Sequence, residues 1–221
     1  MTLGYPTLPL PYISTVWDLE HRKQPYFPEV SVSGWTWSER EKYYAEVLPR
    51  ASFVITGTQA GRDEIVHFYN VSPANVRAIP LPASAQPLMP STLDGRTLRD
   101  KLRLNGDFLL YPAQFWPHKN HINLLLALDI LRKRHGLRLN LVFTGSDKGN
   151  REYVSAHVRE WGLSDQIFDL GFVSRDELSA LYANALALVF PSFFGPDNLP
   201  PLEAFSLNCP VVASRIPGAE E

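Results

Sequence analysis

Two charged side chains, Lys119 and Glu203, each lie where a strand is followed by a helix. A lysine beside the first N–H groups of a helix can face a bound anion, because that end of the helix carries partial positive charge. A carboxylate near a helix start can accept hydrogen bonds from the hydroxyls of a ribose diol. Each residue also has an ordinary explanation: a solvated surface lysine, and a glutamate that complements the helix dipole.

The segment around Glu203 joins two strands through a Gly/Pro loop and a helix. Residues 185–190 are fully apolar and end at a proline, as is typical of a strand buried on both faces of a parallel sheet. Residues 210–213 predict the next strand. Between them we expect a helix that begins near Leu199, since Pro200 is tolerated in a first helical turn. The start of this helix would face the carboxyl edge of the sheet, where open α/β folds bind ligands.

The segment around Lys119 has the same order of elements. Residues 108–111 predict a strand, residues 112–117 a loop, and residues from His118 to about Arg134 a helix. Apolar side chains give this helix one buried face: Ile122, Leu125, Leu126, Leu128 and Leu131.

Both segments resemble the sugar-nucleotide motifs of glycosyltransferase family 4, the group 1 glycosyltransferases, whose two-domain fold is called GT-B. In that family a loop followed by Leu-Pro-x-Leu-Glu presents two glutamates eight positions apart. The resemblance implies that Glu203 holds the ribose, whereas Gly195 stands at the position of the first glutamate. Asp197 and Asn198 belong to the segment Pro196-Asp197-Asn198, which replaces the family's Gly-Phe-Gly turn. Either of them takes over the sugar contacts, beside Leu199, or the donor is held differently.

In the family, the loop before Lys119 reads Gly-Arg-x-x-x-x-Lys, and both cations contact the donor diphosphate. Lys119 matches the lysine, and Gln114 stands where the arginine is expected. The resemblance therefore implies a diphosphate site with one full positive charge in place of two. His118 or His121 can supply part of the deficit.

Two further loops carry weaker signals. The resemblance places Gly145 near the donor phosphates, and Phe172 and Val173 beside the base. A glycine at a strand end is also common simply because turns there often require a positive φ.

The N-terminal part of the chain has one polar loop at a strand end, around Asp18 and His21. In the family this place reads His-Asp-Leu, and the histidine approaches the transferred sugar. Trp17 stands in place of that histidine, while Asp18 matches. His21 either serves instead or orients the loop, and Trp17 either stacks on a sugar face or packs as an ordinary aromatic residue. Asp18, His21 and Lys119 are the candidate catalytic residues.

Apolar strands alternate with amphipathic helices along the chain, which predicts parallel sheets with helices on both faces. The predicted fold class is α/β with two Rossmann-like domains, and the resemblance implies that these domains are of GT-B type. We predict a partial N-terminal domain over residues 1–82, a Pro-rich linker and entry helix over 83–104, and a C-terminal nucleotide-sugar domain over 105–221 that lacks its last helices. By comparison with the family, we expect the chain to be a fragment. The predicted strands are 12–16, 53–56, 76–79, 108–111, 139–144, 167–169, 187–190 and 211–213. The first two predicted helices run from Glu39 to about Leu48 and from Ala60 to Tyr69.

Composition and missing motifs exclude several classes of function. The formal net charge of the 221 residues is −2, without a basic stripe, which argues against nucleic-acid binding. The single cysteine, Cys209, follows an apolar pattern typical of a buried thiol and fits a reducing cytoplasm. The sequence contains no phosphate-binding P-loop, dinucleotide fingerprint, Cys/His metal cluster or Asp-x-Asp pair. Its apolar runs are too short to span a membrane.

The resemblance implies a retaining, metal-independent hexosyltransferase that needs no cofactor besides its donor, a nucleotide-diphosphate sugar. Mannose is the candidate sugar, and the acceptor is a glycan or a lipid-linked glycan. We expect the protein in the cytoplasm, with a peripheral contact at the inner membrane face as an open alternative. The second hypothesis is a non-catalytic nucleotide-sugar-binding or scaffold relative, in which the departures at Trp17, Gln114 and Gly195 record lost chemistry. The sequence does not indicate an oligomeric state.

Overall fold

The computed structural model describes residues 10–81, 88–104, 106–195 and 198–221. The chain forms two compact units. The described residues of the first unit are 10–81, 194–195 and 215–221, and those of the second are 88–104, 106–193 and 198–214. The predicted domain boundaries, after residues 82 and 104, fall beside residues outside the described part and stay predictions.

The first unit is a three-stranded parallel sheet in the order β1-β2-β3, joined by helices. Its small core is formed by side chains such as Leu48, Val54 and Ile65, all of them fully buried. The elements are β1 (Ile13–Thr15), α1 (Glu20–Lys23), α2 (Pro28–Ser31), α3 (Trp37–Val47), β2 (Phe53–Thr56), α4 (Gln59–Tyr69) and β3 (Val76–Ala78).

The second unit is a five-stranded parallel sheet in the order β6-β5-β4-β7-β8. The chain enters this sheet at its central strand, builds outwards on one side and then returns to build the other. Its elements are α5 (Gly95–Leu102), β4 (Phe108–Pro112), α6 (His121–His135), β5 (Asn140–Thr144), α7 (Arg151–Glu160), β6 (Ile167–Asp169), α8 (Arg175–Asn184), β7 (Ala187–Phe190), α9 (Leu199–Ser206) and β8 (Val211–Ala213).

The strand order of the second unit creates a switch point between β4 and β7. The connections that leave the carboxyl ends of these two neighbouring strands diverge to opposite sides, so a crevice opens between them. The loop after β4 leads to Lys119, and the loop after β7 leads to Glu203 on α9. The topology thus brings both residues to the same edge of one sheet.

Local sequence signals explain where several helices begin. The Thr36 side chain accepts a hydrogen bond from the Glu39 N–H, and the Glu39 carboxylate accepts one from the Thr36 N–H. This capping box starts α3 at Trp37, two residues before the predicted start. An equivalent box between Ser174 and Glu177 starts α8.

The predicted fold class is confirmed: parallel sheets alternate with helices in both units. Every predicted strand is present, with ends that differ by no more than two residues. The two four-residue helices α1 and α2 were not predicted, because a single turn has no periodicity to read. No helix within the described residues combines the length and the apolar character needed to cross a membrane.

Candidate functional site

The junction between β4 and α6 fixes the backbone of Lys119. A single 3₁₀ turn, Pro117–Lys119, links the strand to the helix. The buried Tyr111 hydroxyl donates a hydrogen bond to the Lys119 carbonyl. The Phe193 N–H donates to the His118 carbonyl over 2.9 Å. The junction is therefore held both from β4 and from the segment that follows β7.

The ammonium group of Lys119 lies at the carboxyl end of β7. Its Nζ donates a hydrogen bond to the Asn198 Oδ1 over 2.8 Å and lies 5.2 Å from the centre of the Phe190 ring. Asn198 directly precedes α9, and its side chain does not cap that helix. A cation and an amide thus meet at the start of α9, where both groups can donate to an anionic oxygen.

Glu203 lies half-buried on the second turn of α9. The hydroxyl of Tyr182, a fully buried residue of α8, donates a hydrogen bond to the Glu203 Oε2 over 2.9 Å. The two oxygens of a carboxylate offer about four acceptor positions, of which Tyr182 uses one. The remaining capacity is enough for the two hydroxyls of a vicinal diol.

Gly145 allows the loop after β5 to pass close to the loop after β4. Its φ is +136°, and a Cβ at this position would lie 2.4 Å from the Ala113 carbonyl oxygen. The Gly145 N–H donates to the Gly171 carbonyl over 2.7 Å, which ties this loop to the one after β6. A glycine is therefore required here for steric as well as conformational reasons.

Arg151, at the start of α7, braces the same loops. Its guanidinium donates to the Gly145 carbonyl over 2.6 Å and lies 3.2 Å from the Asp169 carboxylate. It also stacks 4.6 Å from the centre of the Phe115 ring. Sequence reasoning did not identify Arg151, since its partners are apart in sequence and no motif marks it.

The remaining donor-side candidates of the second unit lie on the loops around this edge. Gln114 is exposed, and its side-chain oxygen accepts a hydrogen bond from the Trp116 indole N–H over 2.9 Å. Phe172 is 91% exposed, so its ring is accessible to a flat ligand, and Val173 beside it is partly buried. Leu199 is the first residue of α9. Asp197 lies outside the described residues.

His121 does not provide the second positive charge that the sequence left open. Its ring is fully buried and stacks on Phe115, with 4.4 Å between the ring centres. Burial, together with the nearby charges of Lys119 and Arg151, lowers the pKa of His121 to about 3. The ring is neutral near pH 7, so of the two histidines that the sequence left open, His118 remains the candidate for part of the missing charge.

In the first unit, Asp18 holds the start of a helix. Its Oδ1 accepts hydrogen bonds from the Glu20 N–H over 3.0 Å and from the Arg40 guanidinium over 3.1 Å. Trp17 beside it is 59% exposed. Asp18 is thus fixed by α1 and α3.

His21 is fully buried within the first unit. Its Nε2 lies 3.2 Å from the Tyr69 hydroxyl and 3.4 Å from the Glu41 carboxylate, and its ring packs near those of Trp37 and Tyr44. Burial lowers the pKa of His21, and the nearby Arg40 lowers it further. Of the two roles left open by the sequence, this placement favours orientation of the loop.

Two groups of predicted site residues therefore emerge. At one sheet edge of the second unit, Lys119 contacts Asn198, and Glu203 lies on the helix that begins directly after Asn198. Asp18 and His21 belong to the first unit. Within the described part of the chain, no three His, Cys, Asp or Glu side chains are grouped so that they could hold a metal ion.

Comparison with known proteins gives a family match and similar relatives. The family described as "Glycosyl transferases group 1" matches residues 96–221. "O-antigen chain mannosyltransferase B" of Escherichia coli is 30% identical over 183 residues, which are 82% of this chain and 48% of that protein. "MMP alpha-(1->4)-mannosyltransferase" of Mycolicibacterium hassiacum is 29% identical over 177 residues, which are 80% of this chain and 39% of that protein. The chain thus spans less than half the length of these two relatives.

Among solved structures, the chain is similar to Anabaena Alr3699/HepE in complex with UDP and glucose. The TM-score is 0.74 at 19% identity, and the match covers 95% of this chain and 54% of the other. At this identity the likeness shows the fold, and it confirms the predicted GT-B-type, Rossmann-like architecture. The family match covers more than half of the 221 residues, and the chain therefore belongs to the group 1 glycosyl transferases.

Proposed function

We propose that this chain carries the donor-binding part of a glycosyltransferase, which moves a hexose from a nucleotide-diphosphate sugar to a glycan or lipid-linked acceptor. The observation that carries the proposal is the contact of Lys119 with the start of α9, the helix that carries Glu203, at the switch point of one parallel sheet. Lys119 contacts Asn198 at the start of α9, and Glu203 lies one turn further along the same helix. A cation and a carboxylate at this spacing suit the diphosphate and the ribose of one nucleotide.

The remaining parts of the donor are assigned by position. Gly145 and Gln114 lie on the loops that adjoin the diphosphate, and Gln114 can donate through its amide. Phe172 and Val173 frame the base, where an exposed aromatic ring can stack. Asn198 and Leu199, at the start of α9, are assigned to the transferred sugar.

In the proposed mechanism, protein groups stabilise the leaving nucleoside diphosphate while an acceptor hydroxyl attacks the anomeric carbon. Lys119 and the start of α9 supply a positive potential. This potential stabilises the leaving oxygen more strongly as negative charge develops on it. The reaction requires neither a metal ion nor a cofactor. Asp18 contributes on the acceptor side, and His21 orients its loop. The proposal includes retention of the anomeric configuration, which the resemblance in sequence implies.

Mannose is the proposed sugar, because both relatives described above are named as mannosyltransferases. The proposed compartment is the cytoplasm, in line with the single buried cysteine. A peripheral contact with the inner membrane face is part of the proposal for a lipid-linked acceptor.

A non-catalytic nucleotide-sugar-binding relative is the second candidate. The burial of His21 favours it, since the histidine expected at the transferred sugar is replaced by Trp17 and the neighbouring histidine is enclosed. Turnover of a nucleotide sugar separates the two candidates, because both require binding and only the enzyme consumes the donor.

The proposal is tested by saturation-transfer NMR of the purified chain against UDP-, GDP- and ADP-sugars. We expect one nucleotide to give saturation transfer, and both Lys119→Ala and Glu203→Ala to weaken it. Lys133→Ala and Glu152→Ala serve as matched controls, since both side chains are largely exposed and Lys133 lies near the opposite end of α6. Absence of binding by a chain whose circular dichroism spectrum is that of a folded α/β protein would overturn the proposal.

A further inference from the structure

The buried hydroxyl of Tyr182 reaches the one carboxylate that the proposed function assigns to the ribose. We infer that Tyr182 is a positioning residue, which holds Glu203 in the rotamer that a ribose diol requires. This inference depends on the proposed function. It adds a residue of α8, outside every motif noted in the sequence, to the donor site on α9.

The geometry assigns the direction of the hydrogen bond. The Tyr182 hydroxyl has two acceptors within reach, the Glu203 Oε2 at 2.9 Å and the Pro200 carbonyl at 3.4 Å. The hydroxyl donates its hydrogen bond to the Glu203 Oε2, the nearer of the two acceptors, because hydrogen bonds to charged acceptors are shorter and stronger. Burial raises the pKa of the Tyr182 hydroxyl, and the Glu203 carboxylate raises it further. The tyrosine therefore stays protonated and donates at any physiological pH.

The Tyr182 side chain is held in place by packing. Tyr182 is fully buried, as are its neighbours Ala180 and Leu181 on α8. Glu203, in contrast, is a long side chain on a half-buried helix, and an untethered glutamate samples several rotamers. The rigid Tyr182 hydroxyl fixes one oxygen of the flexible Glu203 carboxylate before the nucleotide binds. Less conformational entropy is then lost on binding, which is how preorganisation raises affinity.

A simple packing role for Tyr182 makes a different prediction. If the ring only fills space, its hydroxyl has no reason to affect a ligand selectively. If the hydroxyl positions Glu203, its removal affects ligands that carry the diol and spares those that lack it. A comparison of ligands with and without the diol therefore separates the packing role from the positioning role, whereas a stability measurement does not.

The test is calorimetric titration of the chain and its Tyr182→Phe variant with UDP, GDP, ADP and their 2′,3′-dideoxy forms. Phenylalanine keeps the ring and removes only the hydroxyl. We expect about a fivefold loss of affinity for the bound ribonucleotide, the size of one modest hydrogen bond. The dideoxy form should bind the two proteins equally. Tyr44→Phe, a buried tyrosine of the first unit, is the control for a general effect of losing a buried hydroxyl.

A double-mutant cycle with Glu203→Gln provides a second measurement. In the Glu203→Gln background, Tyr182→Phe should have a clearly smaller effect on ribonucleotide affinity. Equal losses for ribo- and dideoxynucleotides would overturn the inference, as would an unchanged affinity in Tyr182→Phe while Glu203→Ala weakens binding. The latter result leaves the proposed function standing. A folded parent chain that binds none of the nucleotides would contradict both proposals.

Discussion

At the residue scale, half-buried groups of the candidate site are oriented by fully buried ones. Lys119 is held at its carbonyl by Tyr111, and Glu203 at its carboxylate by Tyr182; both tyrosines are fully buried. The chemistry that we assign to the surface thus depends on hydroxyls in the core. His121 belongs to the same buried layer, against Phe115.

The pKa of His121 predicts a pH-dependent stability. Its folded-state pKa of about 3 is below its ordinary value of 6.5, so the unfolded chain takes up a proton between these values and the folded chain does not. The stabilisation is complete above about pH 6.5 and is lost as the pH falls toward 3. We expect the free energy of unfolding to decrease by up to about 1.4 kcal/mol per pH unit from this residue.

His121→Phe, which preserves an aromatic ring beside Phe115, should remove this part of the pH dependence. The measurement is urea unfolding of the parent and the variant at several pH values between about 7 and 4.5. The exposed His135 on the same helix is the matched control, and His135→Gln should leave the slope unchanged. If His121→Phe retains the full slope of the parent, the assignment of a neutral, buried imidazole is wrong.

At the element scale, the loops after β4, β5 and β6 form one connected rim. Phe115 N–H donates to the Ser146 carbonyl over 3.0 Å, and Gly145 N–H donates to the Gly171 carbonyl. Arg151 joins the same rim through the Gly145 carbonyl. Displacement of one loop should therefore be transmitted to the others.

Gly145→Ala should destabilise the chain far more than Gly149→Ala. Both glycines have positive φ, +136° and +91°, so both substitutions strain the backbone. Only at position 145 does the new Cβ also meet the Ala113 carbonyl oxygen, at 2.4 Å, whereas nothing lies within 4 Å at position 149. We expect losses of about 3 kcal/mol and about 1 kcal/mol respectively.

Urea unfolding of the two variants measures this difference. Equal losses would mean that the close approach of the β4 and β5 loops does not exist in solution. Gly145→Ala should also weaken nucleotide binding. The added Cβ would displace the backbone N–H and carbonyl of residue 145, whose hydrogen bonds hold the rim together.

Elements with a strong pattern could be predicted from the sequence, and isolated turns could not. Residues 187–190 were predicted as a strand from their continuous apolar run, and β7 has these bounds. The start of α3 was predicted two residues late, because its first turn contains Trp37 and Ser38, neither of which belongs to a clear apolar face. Helices α1 and α2 are single turns whose conformation depends on tertiary contacts rather than on local periodicity.

At the scale of the whole molecule, the sequence predicted the fold and the edge of the sheet at which the candidate residues Lys119 and Glu203 lie. Lys119 and Glu203 were identified from strand-to-helix junctions, which the sheet order then brings together. Tyr182 and Arg151 were not identified, because their roles depend on contacts with residues 21 and 6 positions away that no spacing rule encodes. His121 was considered as a source of positive charge because histidine can be protonated, whereas in the structure burial lowers its pKa and keeps it neutral.

The central claim is that Lys119 and Glu203 bind different parts of one nucleotide, and titration calorimetry with UDP, UMP, GDP and GMP tests it directly. We expect the parent chain to prefer the diphosphate of one base. Lys119→Ala should remove most of that preference, by about tenfold, because a charge-assisted contact to the second phosphate is lost. Glu203→Ala should weaken the diphosphate and the monophosphate equally. The same diphosphate preference in Lys119→Ala as in the parent would contradict the account.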